Sequence, residues 1–245
     1  MKLEPRERIF VALDTPDVER ARILVRSLEG RVGGFKLGLE LFTSHGPELI
    51  GEIRDRGGLV FLDLKFHDIP NTVAGAAGAA ARLGVSFFTL HACGGPKMIR
   101  RGVDAAARGA AQAGLEAPVA LAVTVLTSHD DDELGLVGLQ GPCEAAVLRL
   151  AALARDAGAG GLVCSPLEVA SVREAFPAGV LVVPGIRPGG LSAGGGDDQS
   201  RTATPATAVR LGADRLVIGR PITRADDPPA AAEAIAEEIR LGEPR

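Results

Sequence analysis

The chain has 245 residues, of which 46% are hydrophobic, and its formal net charge is -4. This length and composition predict a globular protein with a packed core and argue against disorder. The slightly acidic charge argues against nucleic acid as an obligate partner, because binding to phosphate backbones normally requires a basic face. The longest uncharged apolar stretch near the middle of the chain, residues 117–126, is too short to cross a bilayer, so no membrane contact is predicted.

The cysteine pattern indicates a reducing compartment. Cys93, Cys143 and Cys164 lie far apart and have neither Cys-x-x-Cys nor Cys/His metal spacing. The amino-terminal residues are charged throughout and do not resemble a secretory signal. We therefore predict a cytoplasmic location.

Short apolar runs alternate with longer helical patterns from one end of the chain to the other. Most of the runs are rich in Val, Leu, Ile or Phe without strict alternation, which is typical of strands buried on both faces. The predicted strands are residues 9–13, 34–39, 59–64, 86–92, 119–126, 161–165, 180–186 and 215–219.

The segments between these runs have helical character. The first begins at Thr15-Pro16-Asp17 and ends at Gly30, residues 44–56 predict a further helix, and Thr204 is a candidate cap before Pro205. Eight strand–helix repeats in a chain of this length predict a single-domain (β/α)8 TIM barrel over residues 1–245. A doubly wound open sheet is the alternative, but "ALDTPD" after the first strand lacks the glycine-rich phosphate turn typical of that fold.

One connection is longer and richer in glycine than the others. It reads "RPGGLSAGGGDDQSRTATP" and lies between the seventh and eighth strands. Loops of this length in compact domains are often lids or binding loops. We predict a flexible phosphate lid at about residues 187–203, with a plain surface insertion as the alternative.

Polar residues accumulate at the carboxyl ends of the predicted strands, where barrels of this class place their active sites. Asp14 follows the first strand, Lys36 lies within the second, and Asp63 and Lys65 end the third. The remaining polar or special positions at these ends are His91, Thr127, Ser165, Pro184 to Arg187, and Gly219-Arg220. We interpret the two lysines and two aspartates as a catalytic or binding cluster. The alternative is a structural ion-pair network, which is weak evidence for stability because desolvation offsets much of the attraction.

A second cluster predicts a phosphate site. Gly219 and Arg220 in "VIGRPI" lie where the loops after strands seven and eight commonly bind phosphate, and Gln199 in the long loop is placed to close over it. An ordinary surface arginine beside a turn is the alternative. We assign no chemical role to any of the four histidines, His67 and His91 included, and we find no persuasive metal spacing.

Together these motifs resemble those of a known family. "FLDLKFHDIPNT", with "VALD" upstream, "GFKLG", "AVTVLTS", "VVPGIRP" and "IGRPI", is similar to orotidine 5′-phosphate decarboxylase of the bacterial type, in the right order from about residue 8 to the last helix. The resemblance implies decarboxylation of orotidine 5′-monophosphate to UMP in de novo pyrimidine synthesis. It also implies that no cofactor is used and that a (β/α)8 homodimer builds its active sites at the subunit interface.

The resemblance also implies roles for single residues. Asp14 and Lys36 would hold ribose hydroxyls, Asp63 would lie beside the substrate carboxylate, and Lys65 would deliver a proton to C6. Lys36 and Lys65 would alternate with Asp63 and Asp68 in a charged array.

The remaining implied contacts are with the neighbouring subunit, the base and the phosphate. Asp68 and Thr72 would reach the neighbouring subunit's site, Thr127 would hydrogen-bond the pyrimidine edge, and Pro184 would line the pocket. The phosphate would be surrounded by Arg187, Gln199, Gly219 and Arg220. The lid departs from the family pattern through extra glycine and aspartate in "GGGDDQSR", which leaves the register of Gln199 open by one or two residues.

Two other functions remain alternatives at this point. Magnesium-dependent barrels that act on sugar phosphates, such as 3-keto-L-gulonate 6-phosphate decarboxylase or hexulose phosphate synthase, share the Asp-x-Lys-x-x-Asp spacing. Those enzymes have an acidic ligand at the end of strand two, where this chain has Lys36. A catalytically silent barrel that senses a nucleotide or sugar phosphate is the other alternative.

Overall fold

Eight parallel strands form a closed barrel in which each strand pairs with its neighbours in chain order and β1 pairs with β8. The computed structural model describes residues 3–189 and 202–242. The strands are β1 (Ile9–Ala12), β2 (Gly34–Gly38), β3 (Leu59–Phe66), β4 (Phe87–His91), β5 (Val119–Val123), β6 (Gly161–Val163), β7 (Val180–Val183) and β8 (Arg215–Ile218). All eight predicted strands are confirmed, and the closure between β1 and β8 excludes the open-sheet alternative.

Helices follow the strands around the outside of the barrel. They are α1 (Val18–Ser27), α2 (Leu39–His45), α3 (Glu48–Asp55), α4 (Pro70–Arg82), α5 (Gly95–Gln112), α6 (Asp131–Leu136), α7 (Cys143–Asp156), α8 (Val169–Ala175), α9 (Pro205–Arg210), α10 (Arg220–Thr223) and α11 (Pro228–Gly242). Two short 3-10 helices, Pro5–Arg8 and Ala92–Gly94, precede β1 and α5. No helix in the described part of the chain is long and apolar enough to span a membrane.

Local sequence signals account for several helix boundaries. The Asp17 carboxylate accepts hydrogen bonds from the backbone N–H groups of Glu19 and Arg20 at the start of α1. The Thr204 hydroxyl accepts from Thr207 N–H at the start of α9, and Pro205 occupies the first turn. These caps satisfy N–H groups that have no partner within the helix, and they confirm the predicted starts.

The predicted helix over residues 44–56 is wrong in its extent. The segment is divided between α2, which ends at His45, and α3, which begins at Glu48. Gly46 has a φ of 68°, a left-handed conformation that a helix cannot continue through, and Pro47 follows it. The prediction missed this break because the sequence has helical periodicity on both sides of it.

The barrel interior is filled with apolar side chains at the end away from the carboxyl ends of the strands, which is called the lower part below. The rings of Phe10, Phe61 and Phe87 pack edge to face, with centroids 5.4 to 6.3 Å apart. Gly34 makes room for this cluster, because a Cβ there would lie 2.7 Å from the Phe10 ring and 2.3 Å from the Leu59 carbonyl oxygen. The barrel is therefore a packed core at this level, as is typical of the fold, and polar chemistry is confined to the opposite end.

The long loop between β7 and α9 is described only at its two ends. Arg187 N–H donates to the Ala203 carbonyl, and Ala203 N–H donates to the Gly185 carbonyl, so the two ends of the loop lie side by side. Residues 190–201, which contain most of the predicted lid and Gln199, lie outside the described residues.

Candidate active site

A cavity of about 430 Å³ opens at the carboxyl ends of the strands. Its volume lies within the range of small-molecule sites, about 300–1,000 Å³. Phe61 belongs to the aromatic cluster below and also lines the cavity, so it forms part of the floor. The sequence-predicted residues that line it are Asp14, Lys36, Asp63, Lys65, Thr127, Pro184, Arg187, Gly219 and Arg220.

Four charged side chains form a continuous network in this cavity, one just after β1, one in β2 and two in β3. Lys36 Nζ donates to Asp14 Oδ1 at 3.0 Å and lies 3.6 Å from Asp63 Oδ2. Lys65 Nζ lies 2.9 Å from both carboxylate oxygens of Asp63. The side chains of Lys36 and Asp63 are only 10% and 13% exposed, whereas Asp14 is largely exposed at the mouth. Positive and negative groups therefore alternate from the rim to the interior.

The end of β3 is irregular where it carries the two central groups. Leu62 pairs with Phe88, but the next pair is Phe66 with Leu90, so three residues on β3 face one on β4. Lys65 lies within this bulge and has a φ of 50°, the only positive φ at a residue other than glycine among the described residues. Bulges redirect side chains, and strained backbone conformations concentrate at functional sites.

The charge network keeps Asp63 ionised. Burial is the largest single influence on the pKa of Asp63 and would raise it, but the charges of Lys36 and Lys65 oppose it. Hydrogen bonds from Lys65 and Thr89 act in the same direction, and the net result is a pKa below the ordinary value. The cavity therefore presents a buried carboxylate anion between two ammonium groups.

Three arginines lie at the side of the cavity formed by the ends of β7 and β8. Arg187 and Arg220 were expected from the sequence, whereas Arg224 was missed. Arg224 follows Arg220 by four residues, one helical turn later, and this spacing was the available signal. The guanidinium groups make this side of the cavity suitable for a phosphate or another dianion.

Two of the predicted residues do not line this chain's own cavity. Asp68 and Thr72 are exposed, and Asp68 Oδ1 accepts a hydrogen bond from the Ile69 N–H at 2.6 Å. Both residues lie where β3 leads into α4. A role for them in catalysis requires a second chain or a movement of this segment.

Cys164 is a poor candidate for a nucleophile, and neither His67 nor His91 lines the cavity. Cys164 lines the cavity, but burial raises the pKa of its thiol far above neutral pH. The His67 and His91 rings lie next to each other, with centroids 5.2 Å apart. Burial and the neighbouring His67 and Lys65 lower the pKa of His91, which therefore stays neutral at physiological pH.

Sequence reasoning also missed Thr89, which interrupts the apolar run of β4. Its side chain is fully buried, and its hydroxyl is hydrogen-bonded both to Asp63 and to the backbone of Lys65. The available signal was a polar residue in an otherwise apolar strand, which is also compatible with an ordinary core threonine.

Asp63→Asn is expected to lower the free energy of unfolding at neutral pH. Because the pKa of Asp63 is lower in the folded state than its ordinary value of 3.8, the ionised carboxylate stabilises the fold above that pH. This contribution is lost as the pH falls through the folded-state pKa, so the difference from wild type should shrink in acid. Urea unfolding of both proteins from neutral to acid pH measures this difference in the free energy of unfolding. Asp104→Asn, on the exposed face of α5, is the control and should change little at any pH, and an Asp63→Asn variant as stable as wild type at neutral pH would contradict the prediction.

Comparisons with known proteins agree with this geometry. The family model described as Orotidine 5′-phosphate decarboxylase / HUMPS family matches residues 7–235. The orotidine 5′-phosphate decarboxylase of Moorella thermoacetica is 50% identical over 243 residues, covering 98% of this chain and 95% of that relative. The enzyme of the same name from Anaeromyxobacter sp. (strain K) is 53% identical over 235 residues, covering 96% and 99%. The crystal structure of orotidine 5′-phosphate decarboxylase from Lactobacillus acidophilus matches with a TM-score of 0.83 and 40% identity, covering 94% of this chain and 98% of that chain. This chain therefore belongs to the orotidine 5′-phosphate decarboxylase / HUMPS family.

Proposed function

We propose that this protein is a carboxy-lyase that converts orotidine 5′-monophosphate to UMP in pyrimidine biosynthesis, without a cofactor. The observation that carries the proposal is the alternating arrangement of Lys36, Asp63 and Lys65 in the cavity of a chain that matches named decarboxylases along nearly its whole length. We also propose that the enzyme works in the cytoplasm.

The distribution of charge in the cavity supports one orientation of the substrate. The phosphate dianion lies against Arg187 and Arg220 beside Gly219, with Gln199 as a further proposed contact. The ribose hydroxyls lie against Asp14 and Lys36, whose side chains are joined at 3.0 Å near the mouth. Thr127 and Pro184, which also line the cavity, contact the pyrimidine.

In this orientation the reacting carbon faces the ion pair of Asp63 and Lys65. Cleavage of the bond between C6 and the carboxyl carbon releases CO2 and leaves an electron pair on C6, in an orbital that the ring delocalises poorly. The Lys65 ammonium stabilises that charge as it develops and then donates a proton to C6, giving UMP. The neutral amine regains its proton from solvent. Preorganised charges of this kind lower the activation barrier most effectively in a site that excludes water.

Asp63 has two effects in this scheme. Its carboxylate holds the Lys65 ammonium at 2.9 Å, so the proton donor is in place before the substrate arrives. It also lies beside the position proposed for the substrate carboxylate, and the repulsion between them raises the energy of the bound substrate but not of the product. Contacts with the distant phosphate provide binding energy that offsets this repulsion.

We further propose that the enzyme is a homodimer in which Asp68 and Thr72 complete the partner's site. Both residues are exposed and lie outside the cavity of their own chain. Large apolar side chains are also exposed in segments that follow the carboxyl ends of β2, β3, β5 and β6, on the same end of the barrel as the cavity. They are Leu39, Ile69, Leu136, Val137 and Leu167. A second subunit over this end would bury them and add Asp68 of one subunit to the Lys36, Asp63 and Lys65 array of the other.

The change in ultraviolet absorbance as orotidine 5′-monophosphate becomes UMP tests the proposed reaction directly. We expect turnover by metal-free protein, and equal rates with and without excess EDTA. Loss of activity in EDTA would favour the magnesium-dependent sugar-phosphate enzymes instead. No absorbance change at millimolar substrate and micromolar protein would refute the proposal.

Lys65→Ala should lower kcat by about 10²- to 10⁴-fold or more, which is the contribution expected of a positioned proton donor. The affinity for UMP should change little, because the phosphate and ribose contacts do not involve Lys65. Steady-state kinetics and calorimetric titration with UMP separate the two effects. Arg108→Ala, an exposed charge on α5, is the control, and a loss in kcat below about tenfold in Lys65→Ala would exclude Lys65 as the proton donor.

Mixed dimers test whether the active site is shared. Lys65→Ala and Asp68→Ala subunits, each inactive alone, should regain activity when mixed, because one site of the heterodimer then has both residues. The control pairs Lys65→Ala with Asp63→Asn, which should regain none, since both of these residues act within their own chain. Confirmed heterodimers of the first pair that stay inactive would place Asp68 in its own chain's site.

A further inference from the structure

The hydroxyl of Thr89 links the backbone of Lys65 to the carboxylate of Asp63. Thr89 lies in the middle of β4, next to the bulge in β3, and its side chain is fully buried. Its Oγ1 accepts a hydrogen bond from the Lys65 N–H at 2.8 Å and donates one to Asp63 Oδ1 at 3.0 Å.

The directions of these two hydrogen bonds are determined by chemistry. The backbone N–H of Lys65 can only donate, and the ionised carboxylate of Asp63 can only accept. The single hydroxyl hydrogen of Thr89 must therefore point to Asp63 while its oxygen faces Lys65. Asp63 accepts in turn from Lys65 Nζ at 2.9 Å, which closes a ring of contacts from the backbone of Lys65 through Thr89 and Asp63 to the Lys65 side chain.

The bulge explains why this position needs a hydroxyl group. Strand pairing between β3 and β4 is lost between the pairs Leu62–Phe88 and Phe66–Leu90, and Lys65 lies within the gap with a φ of 50°. A buried N–H without a partner is costly, so a side chain must replace the strand as acceptor. Thr89 does so, and thereby holds Lys65 in a conformation that residues other than glycine rarely adopt.

We propose that Thr89 is a positioning residue for decarboxylation, which sets the location of the Lys65 ammonium and the Asp63 carboxylate relative to C6 of the substrate. The inference rests on the proposed function, since it assumes that Lys65 is the proton donor. Thr89 does not line the cavity, so it acts through these two residues and not on the substrate itself. Loss of the Thr89 hydroxyl should therefore lower kcat and leave KM nearly unchanged. Small displacements of a preorganised group weaken the stabilisation of the transition state more than they weaken substrate binding.

The experiment compares Thr89→Val, which keeps the shape and removes the hydroxyl, with Thr89→Ser, which keeps the hydroxyl. We expect kcat to fall by about 10- to 100-fold in Thr89→Val, equivalent to about 1.4 to 2.7 kcal/mol of activation free energy. KM and the affinity for UMP should stay within about threefold of wild type, and Thr89→Ser should retain most of the activity.

Thr124→Val is the matched control. Thr124 directly follows β5, is 2% exposed, and its hydroxyl has no hydrogen-bond partner among the described residues. Removing that hydroxyl should leave kcat and KM unchanged. If Thr89→Val does not fold, Thr89→Cys replaces it, because a thiol of similar size is only a weak donor and acceptor, and kcat should again fall.

The outcomes separate this inference from the proposed function. Wild-type protein that does not decarboxylate orotidine 5′-monophosphate would refute the function itself. If the wild type is active, wild-type kcat in Thr89→Val, or in Thr89→Cys where that replaces it, would refute the inference alone. An equal loss in Thr89→Val and Thr89→Ser, or in Thr124→Val, would also refute it, since the effect would then come from packing and not from the hydroxyl. A rise in KM with unchanged kcat would place Thr89 in substrate binding instead.

Discussion

The site depends on the pairing of one buried carboxylate with two ammonium groups. Asp63 loses most of its hydration in the barrel, a cost that only close opposite charges and hydrogen bonds can offset. Lys36 and Lys65 provide that compensation from the adjacent strand and from the same strand, and the pKa of Asp63 falls despite its burial. A buried ion pair is a poor way to gain stability, so its presence at this end of the barrel is better explained by chemistry than by folding.

The barrel makes this arrangement possible by separating its interior into two levels. The aromatic rings of Phe10, Phe61 and Phe87 fill the lower level and give the strands a rigid, close-packed support. The charges occupy the level above, where successive inward positions of β3 change from Phe61 to Asp63 and Lys65. Because parallel strands in a closed barrel all end at one face, residues far apart in sequence converge there without a long loop to hold them.

The irregular end of β3 also determines where the Lys65 side chain lies. A regular strand would have continued its pairing with β4 and kept Lys65 in an extended conformation. In the bulge this pairing is lost and Lys65 has a positive φ. The Lys65 N–H, which no longer bonds to β4 backbone, donates instead to the Thr89 hydroxyl. Local strain and its compensation thus occur together at the residue proposed to transfer the proton, consistent with strain being retained where function requires it.

The sequence alone predicted the fold, all eight strands, and nine of the residues that line the cavity. It did so because buried strands have a recognisable composition and because the carboxyl ends of barrel strands share one face, so Asp14, Lys36, Asp63 and Lys65 could be grouped without coordinates. Helical periodicity was less reliable over residues 44–56, where Gly46 and Pro47 end one helix before another begins. Only the tertiary structure decided the roles that depend on register and distance. In the sequence Thr89 looks like an ordinary core residue. Its two hydrogen bonds form because the shift in pairing between β3 and β4 brings it opposite the Lys65 N–H, which has lost its partner in the neighbouring strand.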